Sequence, residues 1–217
     1  ELVIKYAVPT VCATIDTEDF ESGWGIWNDG GSDARRNIDD AAYANSGDYC
    51  VRLRDNTDSS VMTTDVLDLS GYDEITIDFA YHVKSFENTE DFWLQISTDG
   101  GTTFNTVEDW LRTVDFQNDE THSPSVTING PFTNNCKIRF RCDASGTGDF
   151  VYIDDVSIEG CGTGNSIVLE PEDTAAIKSM KDSESSSFES TEMGKIHVFP
   201  NPASTELTVE YRTFDTT

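Results

Sequence analysis

Apolar and polar residues trade places at every second position in short runs between residues 12 and 161. "YCVRLR" sets Tyr49, Val51 and Leu53 on one face, and "ITIDFAY" does the same with Ile75, Ile77, Phe79 and Tyr81. "FWLQIS" aligns Phe92, Leu94 and Ile96, and "KIRFRC" aligns Ile138, Phe140 and Cys142. That alternation belongs to a strand with one buried face. "FVYIDDVSI" is more continuously apolar, as a central strand is. Clusters of Gly, Asn, Asp and Ser separate the runs. Asp-Gly-Gly in "STDGGTTF" (Ser97–Phe104) marks a hairpin, because these residues tolerate the positive φ of tight turns. No long segment shows the helical period of about 3.6 residues. Strand after strand without helices predicts an all-β sandwich over residues 12–161.

The pattern changes on either side. Residues 1–11 read as an upstream linker. Residues 162–194 include "KDSESSSFESTEMG", which has little to bury, and predict a flexible acidic linker. Residues 195–217 begin again with "KIHVFPNPASTELTVEY". There Val198, Leu207 and Val209 suit two short strands, with "PNPAS" as the turn between them. Two strands are marginal alone, so more chain is expected after Thr217. The opening "ELVIKYAVPTVC" lacks the basic and apolar regions of a signal peptide and reads as mature protein or as a piece of something larger.

Charge narrows the partners. With 41 acidic and 14 basic residues, the 217-residue chain carries a formal charge of -27. Nucleic acid and anionic membranes need clustered Lys and Arg, so neither is expected as a partner. Hard oxygen ligands in this number favour Ca²⁺. No apolar run of about 18 residues is present to span a membrane. Aromatic residues at 11% still promise a real core.

The basic residues that remain are clustered. Arg35 and Arg36 follow a Gly-rich turn, while Arg52 and Arg54, and Lys137, Arg139 and Arg141, alternate away from the core. Cys50, Trp93 and Gln95 take outward positions by the same parity. One reading is cross-strand pairing with acids, which contributes a few tenths of a kcal/mol per pair. The other is a ligand platform on one sheet. Arg52, Arg54, Arg139 and Arg141 would then bind carboxylate or sulfate through planar forks, and Trp93 would stack on a sugar ring. Parity alone does not say whether these strands share a sheet.

Carboxylates gather near both ends of the β region, in "DTEDFESG" (Asp16–Gly23) and "VYIDDVSI" (Val151–Ile158). If those ends lie side by side, Glu21 with Asp154 or Asp155 would share a Ca²⁺ with backbone carbonyls. Alternatively these acids cap turns or pair with arginine. Of five cysteines, Cys12 and Cys161 bracket the region, and a bridge between them would tie its ends. Cys50, Cys136 and Cys142 remain, so at least one is unpaired, and spacing alone leaves the pairing open. Export would oxidise some of them. The three histidines form no H-E-x-x-H, and neither G-x-S-x-G nor a P-loop occurs. The module therefore reads as non-catalytic.

"DFESGWGIW", "ANSGDYCVRLR" and "VYIDDVSI" together resemble the jelly-roll sandwiches of the carbohydrate-binding and MAM-like group. The resemblance covers about 150 residues and implies a jelly-roll β-sandwich that binds a glycan or serves in adhesion, and the arginine platform makes the expected glycan an anionic one. It also implies a structural Ca²⁺ held by Glu21, by Asp154 or Asp155, and by groups around Asn45 and Asp48. The aromatic stripe of many sugar binders is thin in this chain. A protein-adhesion or spacer domain with no sugar ligand is the alternative. "HVFPNPASTELTVEY" resembles the opening of the C-terminal sorting domain of type IX secretion cargo in Bacteroidota, through Val198, Pro200, Asn201, Pro202 and Ala203. That implies export across the outer membrane to the medium or the cell surface, with the type IX machinery as a partner.

Overall fold

In the computed structural model, residues 10–163 are described in full, together with the backbone of the strands Leu2–Ala7, Val168–Leu169 and Glu206–Val209. Val11–Gly162 form one compact unit, and Glu1–Thr10 with Thr163–Thr217 form a second. In chain order the strands are β1 (Leu2–Ala7), β2 (Thr10–Glu18), β3 (Trp27–Asp29), β4 (Ala34–Arg36), β5 (Val51–Arg54), β6 (Val61–Thr64), β7 (Glu74–Lys84) and β8 (Asp91–Ser97). They continue with β9 (Asn105–Leu111), β10 (Thr121–His122), β11 (Ser125–Asn129), β12 (Lys137–Cys142), β13 (Phe150–Thr163), β14 (Val168–Leu169) and β15 (Glu206–Val209).

The larger unit is a sandwich of two antiparallel sheets. The first runs β10-β7-β13-β5-β4, with β11 also on β7 and β2 on β13. The second runs β3-β6-β12-β8-β9. The near-continuous apolar run of β13 is central, paired with β5 on one side and β7 on the other. The "DGG" hairpin joins β8 to β9, with Gly100 at φ 77° and Gly101 at φ 94°, where a side chain would be strained.

The inward sets meet as alternation requires. Val51, Leu53, Ile75, Ile77 and Phe79 of the first sheet and Leu94, Ile138 and Phe140 of the second are all 2% exposed or less. The rings interlock across the layers. Phe79 meets Phe140 at 4.7 Å, and Tyr81 meets Phe92 at 4.8 Å. Burying each such side chain contributes about 2–3 kcal/mol. Cys12 and Cys161 form a disulfide that joins β2 to β13, while Cys50, Cys136 and Cys142 are free and buried.

Two positions depart from simple parity. Cys50, outward by alternation, is fully buried because a 3₁₀ turn (Ile38–Tyr43), capped by the Asn37 side chain, lies over it. Gln95, also outward, is 5% exposed because Arg139 grips its amide oxygen.

In the smaller unit, β1 pairs antiparallel with β15, from Leu2 opposite Val209 to Lys5 opposite Glu206, and with β14. Leu2–Ala7 is a paired strand, and its mostly apolar run with the β-branched Val3 and Ile4 suits one. The sorting-motif residues Val198, Pro200, Asn201, Pro202 and Ala203 lie outside the described residues. Among the described residues no helix is long and apolar enough to cross a membrane.

Candidate functional site

The predicted arginine platform is divided between the two sheets. Arg52 and Arg54 point outward from β5 in the first sheet, Arg139 and Arg141 from β12 in the second. The inner faces of these strands fill the shared core, so the two pairs occupy opposite outer surfaces.

On the first sheet the positive charges are answered. Arg54 Nε lies 3.0 Å from Asp33 Oδ1, and Thr57 Oγ donates to the other oxygen of that carboxylate at 2.7 Å. The Thr57 hydroxyl first, and then Arg54, hold the Asp33 carboxyl below its ordinary value against the opposing effect of burial. Arg35 Nε lies 3.1 Å and Arg52 Nη1 3.8 Å from the buried Asp40, and Arg52 also stacks over Phe150 at 4.7 Å. Arg36 donates to the backbone carbonyls of Phe20 and Glu21 and lies 3.7 Å over the Tyr49 ring. Arg35, Arg52 and Arg54 do pair with acids, from the turns on either side of β4 and not from the residues opposite them across the strands.

On the second sheet they are not answered by carboxylates. Arg139 donates from Nε and Nη2 to the Gln95 amide oxygen at 2.8 and 2.6 Å, and its guanidinium lies 3.7 Å over Phe104. Arg141 donates to the Asn56 amide oxygen at 3.0 Å and sits 5.6 Å from the Trp93 ring centre. Among the described residues neither arginine, nor Lys137, forms an ion pair. Burial, and then the neighbouring Arg141 charge, lower the Arg139 pKa, with Asp58 opposing. The strand register builds a grid around them. Arg141 and Asp109 flank Trp93, while Arg139 and Thr106 flank Gln95. Thr63 of β6 and Asn28 of β3 extend the second row. Phe104 went unrecognised in the sequence, since it sits in the hairpin loop and outside any alternating run.

The predicted calcium residues surround one loop, Asn45–Tyr49. Glu21 Oε1 accepts the N–H groups of Asp48 and Tyr49 at 2.8 and 2.7 Å. Asp154, 2% exposed, accepts from the N–H groups of Asn45 (2.7 Å), Ser46 (3.1 Å) and Asp155 (2.8 Å). Burial still drives its pKa up to about 6. Asp155 takes the Asn45 amide at 2.6 Å and the Ser46 hydroxyl at 2.7 Å. Gly47, at φ 60°, lets the loop close over Glu21, where a Cβ would fall 2.3 Å from the carboxyl carbon.

Glu21, Asp154 and Asp155 thus act as acceptors that pin this loop. Beside them opens a cleft of about 340 Å³ lined by Thr17, Glu18, Asp19, Ser22, Asp155, Val156 and Ser157. Burial, and then the Asp16 and Asp19 charges, raise the Glu18 pKa, while a backbone N–H and Arg36 oppose. Carboxylate and hydroxyl donors with no sulfur or imidazole suit a hard cation. Elsewhere Glu87, Glu90 and Asp149 bring carboxylate oxygens within 4.8 Å of one another.

An all-β sandwich with one neutralised and one unneutralised arginine face is the class these features define. No family model and no curated protein matches the chain. Several solved structures share the general shape. The modules CBM22-1 and GH10 of the Clostridium thermocellum endo-1,4-β-D-xylanase 10B align at 19% identity and a TM-score of 0.48, over 67% of this chain. The chain spans only 28% of that protein. A family 61 carbohydrate-binding module solved with β-1,4-galactotriose aligns at 18% identity and TM-score 0.44, over 65% of this chain and 93% of that one. The K3 cleaved adhesin domain of Lys-gingipain from Porphyromonas gingivalis aligns at 17% identity and TM-score 0.46, over 69% and 99%.

Proposed function

We propose that residues 11–162 are a non-catalytic glycan-binding module whose ligand lies on the outer face of the second sheet, against Trp93, Arg139 and Arg141. One observation carries this reading. In a chain with 41 acidic residues, these two guanidiniums have no carboxylate partner among the described residues and are propped by amide oxygens and aromatic rings. A propped, unneutralised guanidinium keeps donors for an external acid, which a planar fork binds bidentately. Trp93 supplies a ring for stacking, and Asn28, Thr63 and Thr106 add neutral hydrogen-bonding groups for hydroxyls. Arg52 and Arg54 hold the first sheet together and stand outside this site.

Retention on a glycan array should fall about tenfold or more in Arg139→Ala/Arg141→Ala and stay near wild type in Arg52→Ala/Arg54→Ala. The reverse pattern would sink the site. Failure to retain any glycan would leave the spacer or protein-adhesion reading.

A structural Ca²⁺ belongs to the proposal as well, at the cleft where Glu18, Asp19 and Asp155 offer oxygen donors next to the loop pinned by Glu21 and Asp154. The melting midpoint should rise in Ca²⁺ relative to EDTA, and an unchanged midpoint would remove the ion. Export as type IX secretion cargo rests on the Val198–Ala203 motif and agrees with the disulfide, which persists in oxidising compartments. Cell fractionation that finds the chain only inside the cell would overturn it.

A further inference from the structure

The grid on the second sheet changes sign across Trp93. On one side stand Arg141 and Arg139. On the other, Asp109 is the direct cross-strand neighbour of Trp93 in β9. Asp91 is two residues away on the same outward parity, and the Asp143 N–H donates to the Asp91 carbonyl, which brings Asp143 to the same end. Asp91 Oδ1 is buried and has no hydrogen-bond partner. Burial raises the Asp91 pKa, the Trp93 side chain opposes, and the charges of Asp143 and Asp109 add to the rise. A carboxylate set beside two others is a poor place for another anion, and exposed Asp109 is a ready acceptor for a hydroxyl donor.

A ligand lying across Trp93 therefore meets two different demands. At the arginine end, two adjacent guanidiniums have donors to spare. Each carries five N–H donors; Arg139 engages two and Arg141 one in hydrogen bonds among the described residues, and Arg141 Nε is buried, which leaves the remaining Nη donors to a ligand. At the aspartate end, an anionic group would face like charge. A formal charge of -27 adds a general repulsion toward densely charged chains, felt over a Debye length of about 8 Å at physiological salt.

Resting on the glycan reading above, we infer that this face selects a glycan with sparse carboxylates. An isolated uronate would sit on Arg139 and Arg141 with neutral sugar toward Asp91 and Asp109, and a polyanion would be rejected. The arrangement also fixes the direction in which the chain lies across the sheet.

The test uses the whole chain and a set of named oligosaccharides, with retention and titration calorimetry as readouts. Neutral probes are xylohexaose and cellohexaose, the sparse acid is a xylo-oligosaccharide with one glucuronate branch, and the polyanions are hexagalacturonate and a heparin hexasaccharide. The sparse acid should bind about tenfold or more above its neutral parent. That advantage should vanish in Arg139→Gln/Arg141→Gln, with an unchanged melting midpoint showing that the variant folds. Asp91→Asn/Asp109→Asn should raise affinity for hexagalacturonate, an effect that a merely structural role for these acids would not produce. Equal binding of neutral and sparsely acidic probes, lost in Trp93→Ala, would overturn the inference and leave the glycan reading standing. So would tightest binding to the heparin hexasaccharide. No binding to any probe would remove both.

Discussion

The two outer faces carry the same three-residue pattern, Arg-x-Arg, and treat it in opposite ways. On β5, Arg52 and Arg54 end on Asp40 and Asp33, both of which are nearly buried. On β12, Arg139 and Arg141 end on the amide oxygens of Gln95 and Asn56 and on two aromatic rings. An acid that neutralises a guanidinium spends the charge inside the fold. An amide positions the guanidinium and leaves its field intact. The acidity of the chain makes this contrast informative, because partners are abundant and the second sheet does without them.

Three perturbations should break or sharpen the contrast. The largest concerns the disulfide, which belongs to the first sheet alone, since β2 and β13 both lie there. Cys161→Ser should lower stability to urea by about 2–5 kcal/mol. Glycan binding in native buffer should survive, because the second face is built without β2 and β13. Loss of binding while the variant is still folded would mean the faces are not independent.

Next, Arg54→Ala should cost about 1–3 kcal/mol, because it leaves the Asp33 carboxylate nearly buried with Thr57 as its main partner. Arg139→Ala should cost less than about 1 kcal/mol, since only amide and ring contacts are lost. Equal losses in denaturant titrations would erase the distinction.

The smallest effect is in pH. Asp33, held low by Thr57 and Arg54, stabilises the fold above the ordinary carboxylate range, and that contribution fades as the pH falls through and below it. Burial raises the Asp154 pKa to about 6, above the unfolded value. Its ionised form therefore penalises the fold above pH 6, and the penalty is relieved as the pH falls toward 4. In EDTA, the midpoint of Asp154→Asn minus that of wild type should shrink from pH 8 to pH 5. A difference that grows would reverse the assignment.

Much of the sandwich was legible because alternation is local. Val51 and Leu53 against Arg52 and Arg54, and Ile138 and Phe140 against Arg139 and Arg141, are inward and outward as their spacing predicts. Which sheet each strand joins is set by pairing between residues far apart in the chain. For that reason one predicted platform became two faces. Cys50 was misplaced because six residues of 3₁₀ turn leave no periodic trace. Asp33 and Asp40 flank Arg35 and Arg36 in "SDARRNIDD", and these two acids supply the pairing on the first sheet, which an abundance of acids did not single out. Phe104 gave no signal, because a loop aromatic acquires its role only when the hairpin folds back toward β12. Glu21, Asp154 and Asp155 do gather around one loop, where they accept N–H groups and the Ser46 hydroxyl, a role that spacing alone does not separate from metal ligation.

The Cys12–Cys161 bridge also has a mechanical meaning. The two cysteines lie at the edges of the Val11–Gly162 unit, 149 positions apart in the chain. Tension applied through the flanking segments at residues 10 and 163 would pass almost directly from one edge to the other through a covalent bond. The hydrogen-bond ladders of both sheets, and the arginine face on the second, would sit outside the path of the force. A module held this way can be pulled at both ends while its binding surface bears no load.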